Sequence, residues 1–238
     1  MATGTLYLVP TGLGADAPAA FVPEATRDVI HRLRRFVAEN AKTARQFLKA
    51  VGYPRLLREA SFEVLDEHTP ASAVADLLAP LLEGEDIGLM SEAGCPGVAD
   101  PGAALVHRAH VAGISVVPLV GPSAILLALM ASGMNGQRFA FHGYLPVDAA
   151  KRRARIASLE SASGRDDATQ IFIETPYRNQ ALFEALLATC KPSTLLCVAA
   201  DLTTASQFVR TRTVAEWKRE RPDLERRPAV FLLYRGAS

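Results

Sequence analysis

The chain has 238 residues, of which 49% are hydrophobic and 21% are charged, and its formal net charge is +1. This composition is typical of a folded protein with one large or two small α/β domains, and it excludes a disordered chain. The small net charge also excludes a global basic field for nucleic acid, so such binding would need local basic clusters.

The cysteines and the apolar stretches predict the environment of the protein. Cys95, Cys190 and Cys197 are odd in number and lack the paired spacing of a metal site, so we expect a reduced cytoplasmic protein without metal. The N-terminus lacks the basic start of a signal peptide. The most apolar stretch, residues 116–134, is interrupted by proline and glycine, so we expect no membrane span and a soluble protein.

Strand and helix signals alternate along the first half of the chain. Strands are predicted over residues 5–9, 36–38, 62–65, 86–90 and 115–118. Helices are predicted over residues 24–34, 41–51, 69–84 and 103–109. Thr69 would cap the third helix and Pro70 would occupy its first position. This alternation predicts a largely parallel sheet.

The pattern changes after residue 121. Helices are predicted over residues 124–131, 148–159 and 178–188, and strand-like segments over 138–142, 169–174, 195–199, 207–211 and 229–234. The last strands follow one another almost directly, which favours antiparallel pairing and a mixed sheet. We therefore expect an α/β protein with two α/β domains, residues 1–119 and residues 120–238.

The loop at residues 91–102 is the most informative segment. It follows an apolar strand, precedes a helix and is rich in glycine and proline. In an open α/β sheet this edge of a strand is where small ligands bind. Gly94 and Gly97 allow a ligand to approach the backbone closely, and Glu92 and Asp100 bring two carboxylates to the same loop. These features favour a ligand-binding loop over an ordinary connection.

Residues 12–17 match the G-x-G-x-x-A pattern of dinucleotide-binding proteins. That motif requires a helix to begin directly at the glycines, whereas here the next helix signal comes about ten residues later. A dinucleotide-dependent dehydrogenase is therefore the weaker interpretation. Glu174 and Arg178 leave another strand edge together, either in a reaction centre or as an exposed ion pair.

Five segments occur in an order and spacing that resemble the tetrapyrrole methylase superfamily: residues 8–11, 91–102, 121–124, 143–146 and 174–178. Within it, they most resemble the branch that methylates the ribose 2′-hydroxyl of a cytidine in small-subunit ribosomal RNA. The resemblance covers nearly the whole chain. It implies a two-domain homodimer, without membrane association, that binds S-adenosyl-L-methionine in the cleft between its domains.

The resemblance also implies site residues. The cofactor-binding residues would be Pro10, Ala93, Gly94, Cys95, Pro96, Val98, Ala99, Ser123, Ala124, Tyr144, Leu145, Ala199, Pro228 and Ala229. Glu92, Asp100 and Arg178 would shape the reaction centre. Basic residues would contact the phosphates of ribosomal RNA or of the small ribosomal subunit, namely Lys42, Arg45, Lys151, Arg152 and Arg153.

Two segments depart from the ribosomal branch. Residues 39–44 read Glu-Asn-Ala-Lys-Thr-Ala where that branch has Glu-Asp-Thr-Arg-His-Thr, so a bidentate arginine is lost. Residues 200–204 read Ala-Asp-Leu-Thr-Thr where it has Arg-Glu-Leu-Thr-Lys. The part of the family pattern that would act on the methyl acceptor is thus altered. Methylation of a small molecule such as a tetrapyrrole, and a non-catalytic cofactor-binding module, stay open as alternatives.

Overall fold

The computed structural model describes residues 3–14 and 18–236 and divides into two compact units, Met1–Ser123 and Ala124–Ser238. The last part of the G-x-G-x-x-A match, residues 15–17, lies outside the described residues. Within the described ranges, none of the helices combines the length and apolar character needed to cross a bilayer.

The first unit contains a five-stranded parallel sheet. Its strands are β1 (Thr5–Val9), β2 (Arg35–Ala38), β3 (Ser61–Val64), β4 (Ile87–Met90) and β5 (Ser115–Pro118). They lie in the order β3-β2-β4-β1-β5, and every neighbouring pair is parallel. The expectation of a largely parallel sheet is confirmed.

Helices connect these strands. They are α1 (Glu24–Arg32), α2 (Ala41–Ala50), α3 (Ala71–Asp76), α4 (Ala79–Leu82) and α5 (Gly102–Val111). Among the described residues, the first α-helix after the glycine pair is α1, which begins ten residues after Gly14. Asn40 caps α2 by accepting from the backbone N–H groups of Lys42 and Thr43.

The prediction of one helix from Thr69 to residue 84 is wrong. The Thr69 hydroxyl bonds the Asp66 carboxylate at 2.9 Å instead of capping a helix, and Pro70 precedes the first helical residue. Two short helices, α3 and α4, replace the long one. Pro80 lies in the first turn of α4, where its missing N–H costs nothing, and it breaks a continuous helix at that point.

The parallel sheet separates two apolar clusters because successive side chains of a strand point to opposite faces. On β2, Val37 packs in the cluster that contains Leu105 of α5, whereas Phe36 packs in the cluster that contains Phe47 of α2. Phe36 also stacks on Phe62 at 5.6 Å between ring centroids. Burial on both faces fixes the sheet whose carboxyl edge carries the loops described below.

The second unit contains a mixed five-stranded sheet. Its strands are β6 (Phe139–Tyr144), β7 (Thr169–Ile173), β8 (Leu195–Ala200), β9 (Phe208–Thr213) and β10 (Ala229–Tyr234). They lie in the order β6-β7-β10-β8-β9, in which β6 and β7 are parallel and the other pairs are antiparallel. This confirms the expected mixed sheet.

The helices of this unit are α6 (Ala124–Ser132), α7 (Ala149–Asp166), α8 (Asn179–Thr189) and α9 (Val214–Trp217). Helix α7 continues seven residues beyond the predicted end at residue 159. Glu160 and Ser163 extend its buried face, and the Glu160 carboxylate accepts from the Lys191 backbone at 2.7 Å and from the Thr194 hydroxyl. A buried carboxylate with such partners is tolerated inside the unit.

Trp217 anchors the core of the second unit. Its side chain is 1% exposed and packs edge-to-face on Phe183 at 5.6 Å between centroids. Its indole N–H donates to the Leu196 carbonyl oxygen at 2.8 Å, which satisfies the buried polar atom. The short helix α9 is thereby fixed against strand β8.

Candidate functional site

Three loops of the first unit meet at the carboxyl edge of its sheet. They follow β1, β4 and β5, which are adjacent strands in the order β4-β1-β5. The Thr11 backbone N–H donates to the Gly94 carbonyl oxygen at 2.9 Å, and the Cys95 thiol reaches the Pro122 carbonyl oxygen at 3.5 Å. The structure thus brings together predicted cofactor-binding residues that are more than 100 positions apart in sequence.

Gly121 lies directly against Pro10. A Cβ atom added at Gly121 would lie 2.2 Å from the Pro10 Cγ atom, so only glycine fits beside this ring. The contact fixes the loop after β1 against the loop after β5. Pro10 is buried and Ser123 is half-buried, so the edge combines apolar surface with polar backbone groups.

The loop after β4 is held by its own hydrogen bonds. The Ser91 hydroxyl lies 3.2 Å from the Gly94 carbonyl oxygen, and the backbone takes positive φ at Gly94 (77°), Gly97 (81°) and Ala99 (61°). Of the predicted cofactor-binding residues here, Gly94 and Pro96 are buried, Cys95 is half-buried, and Ala93, Val98 and Ala99 are exposed. The fixed backbone therefore presents a rim of small apolar side chains.

The Asp100 carboxylate holds this loop through one of its oxygens, and its other oxygen has no hydrogen-bond partner. Its Oδ1 atom accepts from the backbone N–H groups of Gly97 and Gly102, both at 2.8 Å. Its Oδ2 atom is buried and has no hydrogen-bond partner. Burial raises the pKa of Asp100, and the two N–H groups partly oppose that shift. This unpartnered oxygen can accept a hydrogen bond from a donor group of a ligand.

Glu39 also lies at the carboxyl edge of the parallel sheet, although the sequence patterns did not assign it to the site. It follows β2 directly and is half-buried. Burial raises its pKa, the charges of Asp100 and Glu92 raise it further, and the Glu92 backbone N–H opposes the shift. Glu92 itself is exposed. The position of Glu39 at the end of a strand beside β4 is the signal that could have identified it.

Cys95 is a neutral thiol in this environment. Burial raises its pKa, and its sulfur contacts the Pro122 carbonyl oxygen. A thiol with a raised pKa is a poor nucleophile. Cys95 therefore serves the packing of the loops and not covalent chemistry.

In the second unit, the predicted residues lie at one end of the mixed sheet. Tyr144 of β6 is in register with Ile173 of β7, Ile173 with Val230 of β10, and Val230 with Ala199 of β8. Ala229 pairs with the next residue of β8, and the Pro228 carbonyl oxygen accepts from the Asp201 backbone at 2.9 Å.

The burial of these residues differs. Tyr144 is exposed, whereas Leu145, Ala199 and Ala229 are buried. Pro228 is exposed, and Ala124 is the half-buried first residue of α6. The strand register therefore places Tyr144, Ala199 and Ala229 at the same end of the mixed sheet, although 85 positions separate Tyr144 from Ala229 in sequence.

Glu174 and Arg178 form an ion pair at the end of β7. The Glu174 Oε1 atom accepts from Arg178 Nη2 at 2.6 Å, from Arg178 Nε at 3.0 Å and from the Thr175 backbone at 2.7 Å. The Glu174 side chain is 0% exposed and that of Arg178 is 35% exposed. The interpretation as an exposed ion pair is therefore wrong, because the carboxylate is fully buried.

The predicted RNA-binding residues occupy two basic helix starts, one in each unit. Lys42 is exposed at the start of α2, and the guanidinium of Arg45 lies 4.4 Å from the centre of the Phe62 ring. Lys151 and Arg153 are exposed in the first turns of α7. Arg152 is half-buried, with its Nη1 atom 3.4 Å from the Val147 carbonyl oxygen.

Comparison with known proteins identifies the family. Residues 5–218 match the family described as Tetrapyrrole (Corrin/Porphyrin) Methylases. The chain belongs to the tetrapyrrole methylase family. The structure of the methyltransferase CobJ has the same fold, with a TM-score of 0.65 and 19% sequence identity over 98% of this chain and 94% of that one.

Curated relatives extend over nearly the whole chain. A protein of Escherichia coli O157:H7 named ribosomal RNA small subunit methyltransferase I is 32% identical over 97% of this chain and 77% of its own length. A protein of Xylella fastidiosa with the same name is 30% identical over 99% of this chain and 82% of its length. The predicted resemblance is confirmed, and the chain is a methyltransferase that uses S-adenosylmethionine.

The residues present fit this methyl donor. The loops after β1, β4 and β5 offer backbone polar groups beside apolar side chains, which suits an adenosine moiety. The buried, unpartnered Oδ2 atom of Asp100 matches a ligand hydroxyl or amino group. Within residues 3–14 and 18–236, no group of three or more metal-ligating side chains is found.

Proposed function

We propose that this methyltransferase acts on small-subunit ribosomal RNA and methylates a ribose 2′-hydroxyl. One observation carries the proposal: the relatives named ribosomal RNA small subunit methyltransferase I align over nearly the full chain at about a third identity. The ordered loops of the parallel sheet support the methyl-donor half of the reaction.

In this reaction the hydroxyl oxygen of the acceptor attacks the methyl carbon, the bond from carbon to sulfur breaks, and its electron pair stays on sulfur. Bound S-adenosylmethionine supplies an activated methyl group with a good leaving group. The protein must then orient the two reactants and accept the hydroxyl proton.

We propose that the donor contacts Pro10, Ser123 and the loop after β4 in the first unit. In the second unit it contacts Ala124 and residues at the Tyr144 end of the mixed sheet. The contacts of Gly121 with Pro10 and of Thr11 with Gly94 hold the first set rigid. A rigid backbone site reduces the entropy lost when the reactants are oriented.

The carboxylates near the loop after β4 are the proposed proton acceptors. Glu92 is exposed, Asp100 carries a free buried oxygen, and Glu39 has a raised pKa beside both. A carboxylate with a raised pKa is a better base at neutral pH than an ordinary one. Among the three, we assign proton transfer to Glu39 and loop positioning to Asp100. Arg178, held by Glu174, contributes positive charge to the reaction centre.

RNA phosphates would meet Lys42 and Arg45 at the start of α2, and Lys151, Arg152 and Arg153 in α7. The side chains of Lys42, Arg45, Lys151 and Arg153 are exposed. We further propose that the protein works as a homodimer in the cytoplasm. The homodimer rests on the family resemblance alone, and analytical ultracentrifugation tests it.

The decisive experiment offers unmodified small ribosomal subunits, naked ribosomal RNA and a tetrapyrrole to the protein with methyl-labelled S-adenosylmethionine. We expect label in the RNA, in a dinucleotide that resists alkaline hydrolysis because its 2′-hydroxyl is blocked. Label in the tetrapyrrole alone would assign a small-molecule acceptor. Donor binding without transfer to any of the three would indicate a cofactor-binding module.

A further inference from the structure

A groove of about 630 Å³ lies between strand β6 and helix α7 in the second unit. Ala140, Ala162 and Ala168 line it, and their short side chains leave the space open. Its polar lining consists of Gln137, Arg138, His142, Asp166 and Gln170. The groove is separate from the rows of Tyr144, Ala199 and Ala229, because it extends from His142 toward the opposite end of β6.

Two polar contacts hold His142 in the groove. The Gln170 Nε2 atom donates to the Ala168 carbonyl oxygen at 3.0 Å, and the Gln170 Oε1 atom lies 2.7 Å from His142 Nε2. The other ring nitrogen, Nδ1, lies 3.1 Å from Arg155 Nη2. An imidazole carries no negative charge, so this contact does not neutralise the charge of Arg155.

A second exposed guanidinium lies at the other end of the groove. The Arg138 Nη1 atom donates to the Asp166 backbone oxygen at 3.3 Å. The Asp166 carboxylate also lines the groove and is held by Arg165 at 2.6 and 2.8 Å, and Arg165 together with the charge of Arg138 lowers its pKa. The ion pairs found across the described residues include neither Arg138 nor Arg155. Both guanidiniums can bind an anion.

The groove also carries an exposed aromatic ring. Phe139, which follows Arg138 and lines the groove, is 43% exposed. Arg138 precedes Phe139 directly, and Arg155 contacts His142 further along β6. An exposed ring near basic side chains suits single-stranded nucleic acid, whose bases stack while successive phosphates meet basic side chains.

The structure of β6 argues against an alternative occupant, namely an added β-strand that pairs with the edge of the sheet. Although β6 is an edge strand, its register with β7 shifts between Phe141 and Tyr144, and Gly143 has a φ of 61°. Such a bulge interrupts regular strand addition. A second copy paired on β6 about a two-fold axis would also bring the exposed Arg138 and Arg155 of both copies into one interface. Charge therefore favours a polyanion as the occupant.

We propose that the groove between β6 and α7 binds an unpaired segment of the RNA substrate, with phosphates on Arg138 and Arg155 and a base against Phe139. The inference rests on the proposed function, since it adds an RNA contact to the same reaction. It assigns to the second unit a site that holds RNA away from the methylated nucleotide.

The test measures the affinity of the full chain for a fluorescein-labelled oligouridylate by fluorescence anisotropy over a range of salt concentrations. The variant R138A/R155A should bind at least about tenfold more weakly near 0.1 M salt, and its slope of log K against log salt should shrink by about 1.4, as expected for two lost phosphate contacts. Phe139→Ala should weaken binding about tenfold at every salt concentration and leave that slope unchanged.

The matched control is K218A/R219A, which removes two exposed cations from the end of α9 in the same unit. Circular dichroism and titration with S-adenosylmethionine check that each variant folds. If R138A/R155A binds the oligomer as well as the control does, the groove is not an RNA site. If the wild type does not bind the oligomer, the inference is also wrong.

Methylation of small ribosomal subunits separates the two proposals. If the wild type methylates the subunit and R138A/R155A binds the oligomer as well as the wild type does, the proposed function stands and only the inference is wrong. If the wild type binds the oligomer but does not methylate ribosomal RNA, the proposed function is wrong. A change in sedimentation mass for R138A/R155A would assign the groove to contact with a second copy and overturn the inference.

Discussion

The guanidinium of Arg178 holds the buried carboxylate of Glu174 through two of its nitrogen atoms, at 2.6 and 3.0 Å. The two residues lie four positions apart, in the segment that connects β7 to α8. The carboxylate has no exposed surface, and its Oε2 atom has no partner. The pair thus links the stability of the second unit to a residue that we assign to the reaction centre.

Arg178→Ala should destabilise the second unit by about 2–4 kcal/mol, because it leaves the buried Glu174 charge without its partner. Arg221→Ala is the control, since Arg221 and Glu184 form an exposed pair at 2.8 Å. That pair should contribute less than about 1 kcal/mol. Urea unfolding followed by fluorescence measures both variants, and equal losses would contradict the buried pair.

Asp100→Asn should retain the loop, whereas Asp100→Ala should lose about 1–3 kcal/mol, because two backbone N–H groups lose their acceptor. The native pKa of Asp100 is raised by burial, so the stability contributed by its neutral form is complete below the ordinary value of about 3.9. That contribution is lost as pH rises through the native pKa.

Asp100→Asn should therefore gain stability relative to the wild type as pH rises from the ordinary aspartate pKa through the raised native pKa of Asp100. Denaturant unfolding at several pH values measures this difference. A difference that does not change with pH would contradict the raised pKa. Weaker binding of S-adenosylmethionine by a stable Asp100→Asn protein would identify the free Oδ2 atom as a ligand contact.

Glu39→Gln should lower kcat by about 10²–10⁴-fold and leave the affinity for S-adenosylmethionine unchanged, because it removes the proposed proton acceptor and keeps its shape. The wild-type rate should increase with pH through the native pKa of Glu39, which burial places above its ordinary value. The control is Glu67→Gln, which removes an exposed charge that contributes to the same field. A similar, small effect of both variants on kcat would exclude Glu39 as the base.

Gly121→Ala should destabilise the first unit by about 1–3 kcal/mol, since its methyl group would lie 2.2 Å from the Pro10 ring. The shifted loop should also bind S-adenosylmethionine more weakly. Gly136→Ala is the matched control, because its added Cβ would meet nothing within 4 Å. Thermal unfolding and calorimetric titration measure the two effects, and identical behaviour of the two variants would contradict the proposed packing.

Local signals predicted most of the fold. Apolar runs mark strands such as β4, β8 and β10, and β1 and β5 were predicted to the residue. The helix predicted from Thr69 failed because the Thr69 hydroxyl oxygen accepts from the Asp66 backbone N–H at 2.9 Å instead of from a helix N-terminus, and Pro80 was not recognised as a second helix start. Such competition between alternative hydrogen bonds depends on the folded chain.

The site was predicted in part. The motif loops were found because glycine and proline mark them, and the structure brings those of the first unit to one sheet edge. Glu39 and the burial of Glu174 were missed, since neither follows from neighbouring residues alone. The groove beside β6 was missed for the same reason, because residues of β6, α7 and β7, such as Ala140, Ala162 and Gln170, line it together.

The position of Trp217 determines how unfolding of this protein has to be observed. The chain contains one tryptophan, and it is buried in the second unit between Phe183 and the Leu196 carbonyl. Tryptophan fluorescence, excited selectively near the red edge of the absorption band, therefore reports on the unit with the mixed sheet and not on the parallel sheet that carries Asp100 and Gly121. Substitutions in the first unit require far-ultraviolet circular dichroism, and transitions that differ between the two probes would reveal independent melting of the units.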